Sequence, residues 1–157
     1  FFTKFENSIK VCNLQGFVRK NLNKKIKSIN ELPELDFKIF DTVIMSEADS
    51  SFENALKISN FSNIVCYTMG RNGVKIICDN KVETYSSVKV KNIDETGAGD
   101  VWSTSFIIFY YLMNKELYIS AKLANISAAL SVTGFSDDKI SNYSEIINFK
   151  NGKTYKT

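Results

Sequence analysis

Asp94-Glu95-Thr96-Gly97-Ala98-Gly99-Asp100, followed at once by the uncharged run Val101 to Asn114, is the stretch whose reading decides the fold. Two glycines alternate with small residues directly before a segment of helical character. Gly97 and Gly99 permit positive φ and carry no side chain to block an approaching ligand. With Ala98, they offer backbone N–H groups at a helix N-terminus, where unpaired donors and the helix dipole both favour an anion. Asp100 falls in the first turn of the same helix, an acceptor beside the anion cradle. A carboxylate so placed suits proton transfer during phosphoryl transfer, though an Asp in a first turn is also an ordinary helix-stabilising residue.

Outward from this turn, short apolar runs alternate with segments of helical period. Strands are expected at Ile9–Leu14, Asp41–Met45, Asn63–Thr68 and Val74–Cys78. The last turns at Asp79-Asn80 into a partner around Val82–Tyr85 to make a β-hairpin. A further strand, Val88–Ile93, is read as leading into the glycine turn. Helices are expected at Ser50–Ser59, Val101–Met113, Ser120–Val132 and Tyr143–Phe149, and Gly16 reads as a break. The alternation predicts an α/β fold, a mainly parallel sheet with flanking helices and one hairpin. At 157 residues the chain fits one domain, and no repeat or linker divides it.

Composition excludes several chemistries. The chain has no histidine, so it can hold no Ser-His-Asp triad and no HExxH zinc site. It has no GxxxxGK[ST] loop and no GxGxxG fingerprint. The longest uncharged run is well short of the ~20 residues of a membrane span, so no membrane partner is expected. Cys12, Cys66 and Cys78 are odd in number and lie in apolar stretches, which fits reduced thiols in a cytoplasmic protein. The net charge is +3, and much of the excess comes from Arg19, Lys20, Lys24, Lys25 and Lys27. No aromatic residues interleave these charges, so a solvated helix or loop is expected there and not a nucleic-acid surface.

The glycine turn and its helix resemble the C-terminal signature of the ribokinase-like (PfkB) carbohydrate kinase family, close to Asp-Thr-Thr-Gly-Ala-Gly-Asp. Three further stretches match in order: Thr68-Met69-Gly70-Arg71-Asn72-Gly73, Ala124-Asn125-Ile126-Ser127-Ala128-Ala129, and Asp41 to Asp49. The resemblance implies a Rossmann-like α/β/α domain of which residues 1–157 are the C-terminal nucleotide-binding and catalytic portion. The substrate and lid portion is absent from this stretch. It implies Asp100 as catalytic base and Gly97, Ala98 and Gly99 as the anion hole. Thr68, Gly70, Arg71, Gly73, Thr96 and Asn125 would contact the nucleotide, with Asn125 beside the adenine. The implied cofactors are ATP and Mg²⁺, with Asp49 in the magnesium motif. A monovalent cation would be held with help from Asp94. The implied reaction is phosphoryl transfer to a hydroxyl of a small sugar, polyol or nucleoside. Surface left open where the other half would dock is a reason to expect self-association as a homodimer.

The departures from the pattern are specific. Ser46 stands where the family prefers Asn, Asp49 where it prefers Glu, and Glu47 is a second carboxylate in that segment. Glu95 replaces a small residue, Trp102 replaces the commoner Phe, and Thr133-Gly134-Phe135-Ser136 is a shortened cation loop. Gln15-Gly16-Phe17-Val18-Arg19 resembles a segment of some sugar or inositol kinase-like members. The altered magnesium motif keeps a second function open, a non-catalytic nucleotide-binding or regulatory module. A ligand-free structural α/β domain is the third.

Overall fold

The computed structural model describes residues 5, 7–22, 25–28, 32–135 and 140–150. The chain forms two compact units: residues up to Met69 with Lys75–Thr84, and Gly70–Val74 with the residues from Tyr85 on.

The first unit is organised by a five-stranded sheet. Its strands, in the order they lie side by side, are β1 (Val11–Asn13), β4 (Thr42–Ser46), β5 (Ile64–Thr68), β6 (Val74–Cys78) and β7 (Lys81–Tyr85). β4 pairs in parallel with β1 and with β5, Val43 lying opposite Cys12 on one side and Val65 on the other. Four consecutive residues of β4 and four of β5 are buried, as expected for strands covered on both faces. β6 and β7 are joined through Asp79 and Asn80, at φ 50° and 59°, the positive angles a two-residue hairpin turn demands. Helix α2 (Phe52–Ile58) links β4 to β5, and the Ser51 hydroxyl accepts from the Asn54 N–H at its start. Ala55 and Ile58 of α2 pack with Val43, Met45, Val65 and Ile77 in one buried cluster.

Two local expectations are corrected here. The Lys-rich stretch forms a two-stranded antiparallel ribbon, β2 (Arg19–Leu22) with β3 (Lys25–Ser28), in place of a solvated helix or loop. Lys25-Ile26-Lys27 already alternates with the period of a strand. Gly16 breaks nothing: it lies within a single helical turn, α1 (Gln15–Val18), and a Cβ there would meet no neighbour. Lys24 and residues 1–4 fall outside the described residues.

The second unit is helical: α3 (Ala98–Ile107), α4 (Leu117–Ser131) and α5 (Tyr143–Lys150). Trp102, Phe106 and Tyr110 stack at successive turns, with ring centroids 5.2 and 5.6 Å apart. Past Ile107 the helix widens into a π-helical segment, Ile108–Leu112, where the Met113 N–H reaches back five residues to the Ile108 carbonyl at 2.9 Å. Asn114 ends it at φ +47°. Phe109, Leu123, Ile126 and Ile146 form the buried core of this unit. The strand expected over Val88–Ile93 is absent. That segment runs without a ladder partner, and the Ile93 and Asp94 N–H groups both donate to the Val132 carbonyl at 2.7 and 3.2 Å. The end of α4 thereby gains two donors for a carbonyl that has none within the helix. No helix among the described residues is long and apolar enough to cross a membrane.

All three cysteines are free, Cys12 and Cys66 buried and Cys78 half-buried. Burial raises the Cys12 thiol from 9.0 to about 11, and it pushes Cys66 well above the ordinary range. Folding thus favours the protonated thiol at Cys12. That contribution is intact below pH 9 and lost as the pH rises through 11. The denaturation midpoint of the reduced protein is expected to fall between pH 9 and 11 more steeply than that of Cys12→Ala. Parallel urea titrations of the two proteins across this range measure the difference.

Candidate functional site

The glycine turn is built in two steps. Asp94 closes the approach, its Oδ1 accepting from the Thr96 N–H at 3.0 Å, while the Asn92 amide donates to the Glu95 carboxylate. Gly97 then takes φ +79° as the residue that opens α3. A residue bearing Cβ would be strained there by about 1–2 kcal/mol. The first helical bond runs from the Val101 N–H to the Gly97 carbonyl at 2.9 Å.

No side chain caps this helix. The Ala98 N–H is taken by the Glu95 carbonyl at 3.1 Å, so the donor expected there is already engaged within the turn. Among the described residues, the N–H groups of Gly97, Gly99 and Asp100 have no protein acceptor. Gly97, Gly99 and Asp100 are exposed. Gly99 has no positive φ, and a Cβ on either glycine would meet nothing within 4 Å. Neither backbone conformation nor packing therefore requires Gly99 to be glycine. What its missing side chain leaves open is the space in front of unpaired donors, the space an anion would take.

The Gly70–Asn72 turn of the same unit has a different logic. Gly70, at φ +49°, is exposed with open space around it, and it accepts from the Gly73 N–H at 3.0 Å. Gly73, at φ +93°, is held by the fold: a Cβ would lie 2.1 Å from the Tyr85 carbonyl oxygen and 2.7 Å from the Ser87 nitrogen. Arg71 is exposed and has no carboxylate partner among the described residues.

Asn125 is placed otherwise than its expected adenine contact requires. It is 2% exposed, accepts from Trp102 Nε1 at 2.7 Å, and donates to the carbonyls of Tyr85 and Ser86 at 2.9 and 3.1 Å. Both N–H groups and one oxygen lone pair are engaged inside the protein, leaving the amide no donor for a base. Sequence reasoning missed this pairing, although an indole in place of the commoner Phe was the signal for an extra donor.

Two expected site residues belong to the first unit. The Thr68 hydroxyl donates to the Met45 carbonyl at 3.3 Å. Asp49 is 3% exposed and accepts from the Ser46 N–H at 3.2 Å and the Ser46 hydroxyl at 2.5 Å. The two departures in this motif are thus one compensated change, since the shorter carboxylate folds back onto the hydroxyl. The carboxylate expected in the magnesium motif is thus buried against Ser46, and Glu47 is the exposed carboxylate of the segment. Among the described residues no three Cys, Asp or Glu side chains gather as a metal cage. Ser136 of the shortened loop lies outside the described residues.

The sequence profile of the pfkB family of carbohydrate kinases matches residues 38–141. The ribokinase of Lactococcus lactis is 29% identical over 133 residues, covering 83% of this chain and 41% of that protein. The crystal structure of ribokinase from Thermotoga maritima superposes with a TM-score of 0.68 at 23% identity, over 73% of this chain and 43% of that one. The fructokinase of Vibrio cholerae, solved with fructose, ADP and calcium ion bound, gives 0.62 at 26% identity, over 71% and 41%. The chain thus spans about two fifths of the length of these relatives.

The contrast between the glycines gives a paired test. Gly99→Ala is expected to hold or raise stability by about 0.5–1 kcal/mol, as for any exposed helical glycine, while weakening anion binding. Gly73→Ala is expected to lose about 2–4 kcal/mol through steric overlap and strain. Denaturant midpoints and a pyrophosphate titration of each variant measure both halves.

Proposed function

Because the chain belongs to the pfkB family of carbohydrate kinases, we propose that it supplies the nucleotide-binding and catalytic portion of an ATP-dependent kinase. Its acceptor is a hydroxyl of a small sugar, polyol or nucleoside. The observation that carries this reading is the uncapped start of α3. Three N–H groups without an acceptor among the described residues, at Gly97, Gly99 and Asp100, share one turn with the Asp100 carboxylate.

The chemistry derives from that arrangement. The three donors and the positive end of the α3 dipole hold the oxygens of the γ-phosphoryl group and offset the charge that grows on them in the transition state. The Asp100 carboxylate orients the acceptor hydroxyl and takes its proton as the new O–P bond forms. The bond to the bridging oxygen of ATP breaks, and ADP leaves. Gly70 and Arg71 present an open turn and an exposed guanidinium suited to nucleotide phosphates. Thr96 and Asp94 shape the turn. Mg²⁺ carried on the phosphates would neutralise their charge, which needs few protein ligands. Asp94 is the proposed contributor to a monovalent cation site. The nucleotide and ions held by solved family relatives, such as the ADP and calcium of the Vibrio cholerae fructokinase, support this cofactor set.

One observation favours a second reading, a nucleotide-binding or regulatory module without catalysis: the Asp49 carboxylate is turned onto Ser46. The two readings separate in one assay. ATP consumption is measured on the native protein against a panel of sugars, polyols and nucleosides, beside ATP binding. Asp100→Asn is expected to lower turnover by about 10²–10⁴-fold with ATP affinity nearly unchanged. Undiminished turnover in that variant sinks the assignment of the base. This chain alone is expected to turn over poorly without the substrate and lid portion, so binding without consumption on any acceptor selects the regulatory reading only when that portion is present.

A further inference from the structure

Asn125 lies where three features of the second unit meet. Through Trp102 Nε1 it holds α3 two residues beyond Asp100, within a turn of the unpaired donors. Through the carbonyls of Tyr85 and Ser86 it holds the chain as it leaves β7. That same backbone, from Tyr85 to Ser87, is the surface against which Gly73 closes the Gly70–Asn72 turn. One amide therefore stands between both turns that the kinase reading assigns to ATP. The start of α3 also has no side-chain cap of its own, so its direction must be fixed from its flank.

We infer that Asn125 and Trp102 are positioning residues for phosphoryl transfer: a polar strut that sets the anion-binding end of α3 against the backbone carrying the Gly70–Asn72 turn. The inference rests on the kinase reading but is separable from it. A phenylalanine at position 102 would fill the core and stack on Phe106 yet offer no donor, so the strut depends on the indole nitrogen. Because the amide is held on its other side by Tyr85 and Ser86, rotation of α3 breaks the buried Trp102 bond, where water cannot readily take its place.

Trp102 is the only tryptophan in the chain, so its indole N–H gives a single resonance for nuclear magnetic resonance. Titrating the native protein with Mg-ADP is expected to shift that resonance as the nucleotide binds. Trp102→Phe and Asn125→Ala are each expected to weaken Mg-ADP by about tenfold, and the double variant no more than the weaker single, as for two halves of one contact. Ile146→Ala, a core truncation on α5, controls for stability and is expected to bind Mg-ADP like the parent. Should the single variants fail to fold, the indole titration of the parent decides alone. A parent that binds Mg-ADP with an unmoved indole resonance overturns the strut, as do two folded variants with undiminished affinity. A parent that binds no nucleotide overturns the kinase reading itself.

Discussion

A side-chain amide that is 2% exposed must find partners within the protein, and Asn125 finds three of them on two separate stretches of chain. Leaving any one of its buried groups unpaired would cost about 1–3 kcal/mol, a sizeable share of a small domain's net stability. The second unit is thus held by a directional contact as well as by apolar packing of Phe109, Leu123, Ile126 and Ile146. Apolar contacts alone tolerate sliding and rotation. The amide does not, and it lies within a turn of the helix start where precise aim has chemical value.

The proposed anion cradle arises from what the sequence leaves out. Most helices begin with Ser, Thr, Asp or Asn, whose oxygen takes up one of the spare N–H groups. α3 begins with glycine in the left-handed region, which shapes the turn and gives nothing back to the donors. Gly99 extends the same omission by one more side chain. The first unit shows the opposite case at Ser51, where a hydroxyl caps α2 and the helix start has no comparable opening.

Much of this was legible before any coordinates. Apolar runs marked β4, β5 and β6, the Asp79-Asn80 pair marked the hairpin, and the glycine turn marked the start of α3. What could not be read has physical reasons. Val88–Ile93 has the composition of a strand, yet its last N–H groups go to the Val132 carbonyl, a partner nearly forty residues away in sequence. Gly70 and Gly73 look alike in sequence. Only the approach of the Tyr85 and Ser87 backbone tells the open glycine from the one the fold requires. Asp49 and Asn125 carry polar groups suited to ligands, and each is turned inward by a neighbour, Ser46 or Trp102, that departs from the usual family residue. In both cases the departure was visible and its consequence was not, because hydrogen-bond partners are a property of the folded chain.

The π-helical segment at Ile108–Leu112 has a consequence for how α3 tolerates length changes. Each extra residue in a helical turn rotates the downstream side chains by about 100° relative to an α-helix. Trp102, Phe106 and Phe109 fall at i, i+4 and i+7, one buried face of a regular α-helix, so the change of phase acts on the residues that follow them. The wide turn acts as a phase adjuster for the residues beyond it, and the half from Gly97 to Phe106 keeps one regular register for both the glycine turn and its buried face. Insertions and deletions in this helix should be absorbed at Ile108–Leu112 and resisted between Gly97 and Phe106, so the two halves of one helix are free to diverge at different rates.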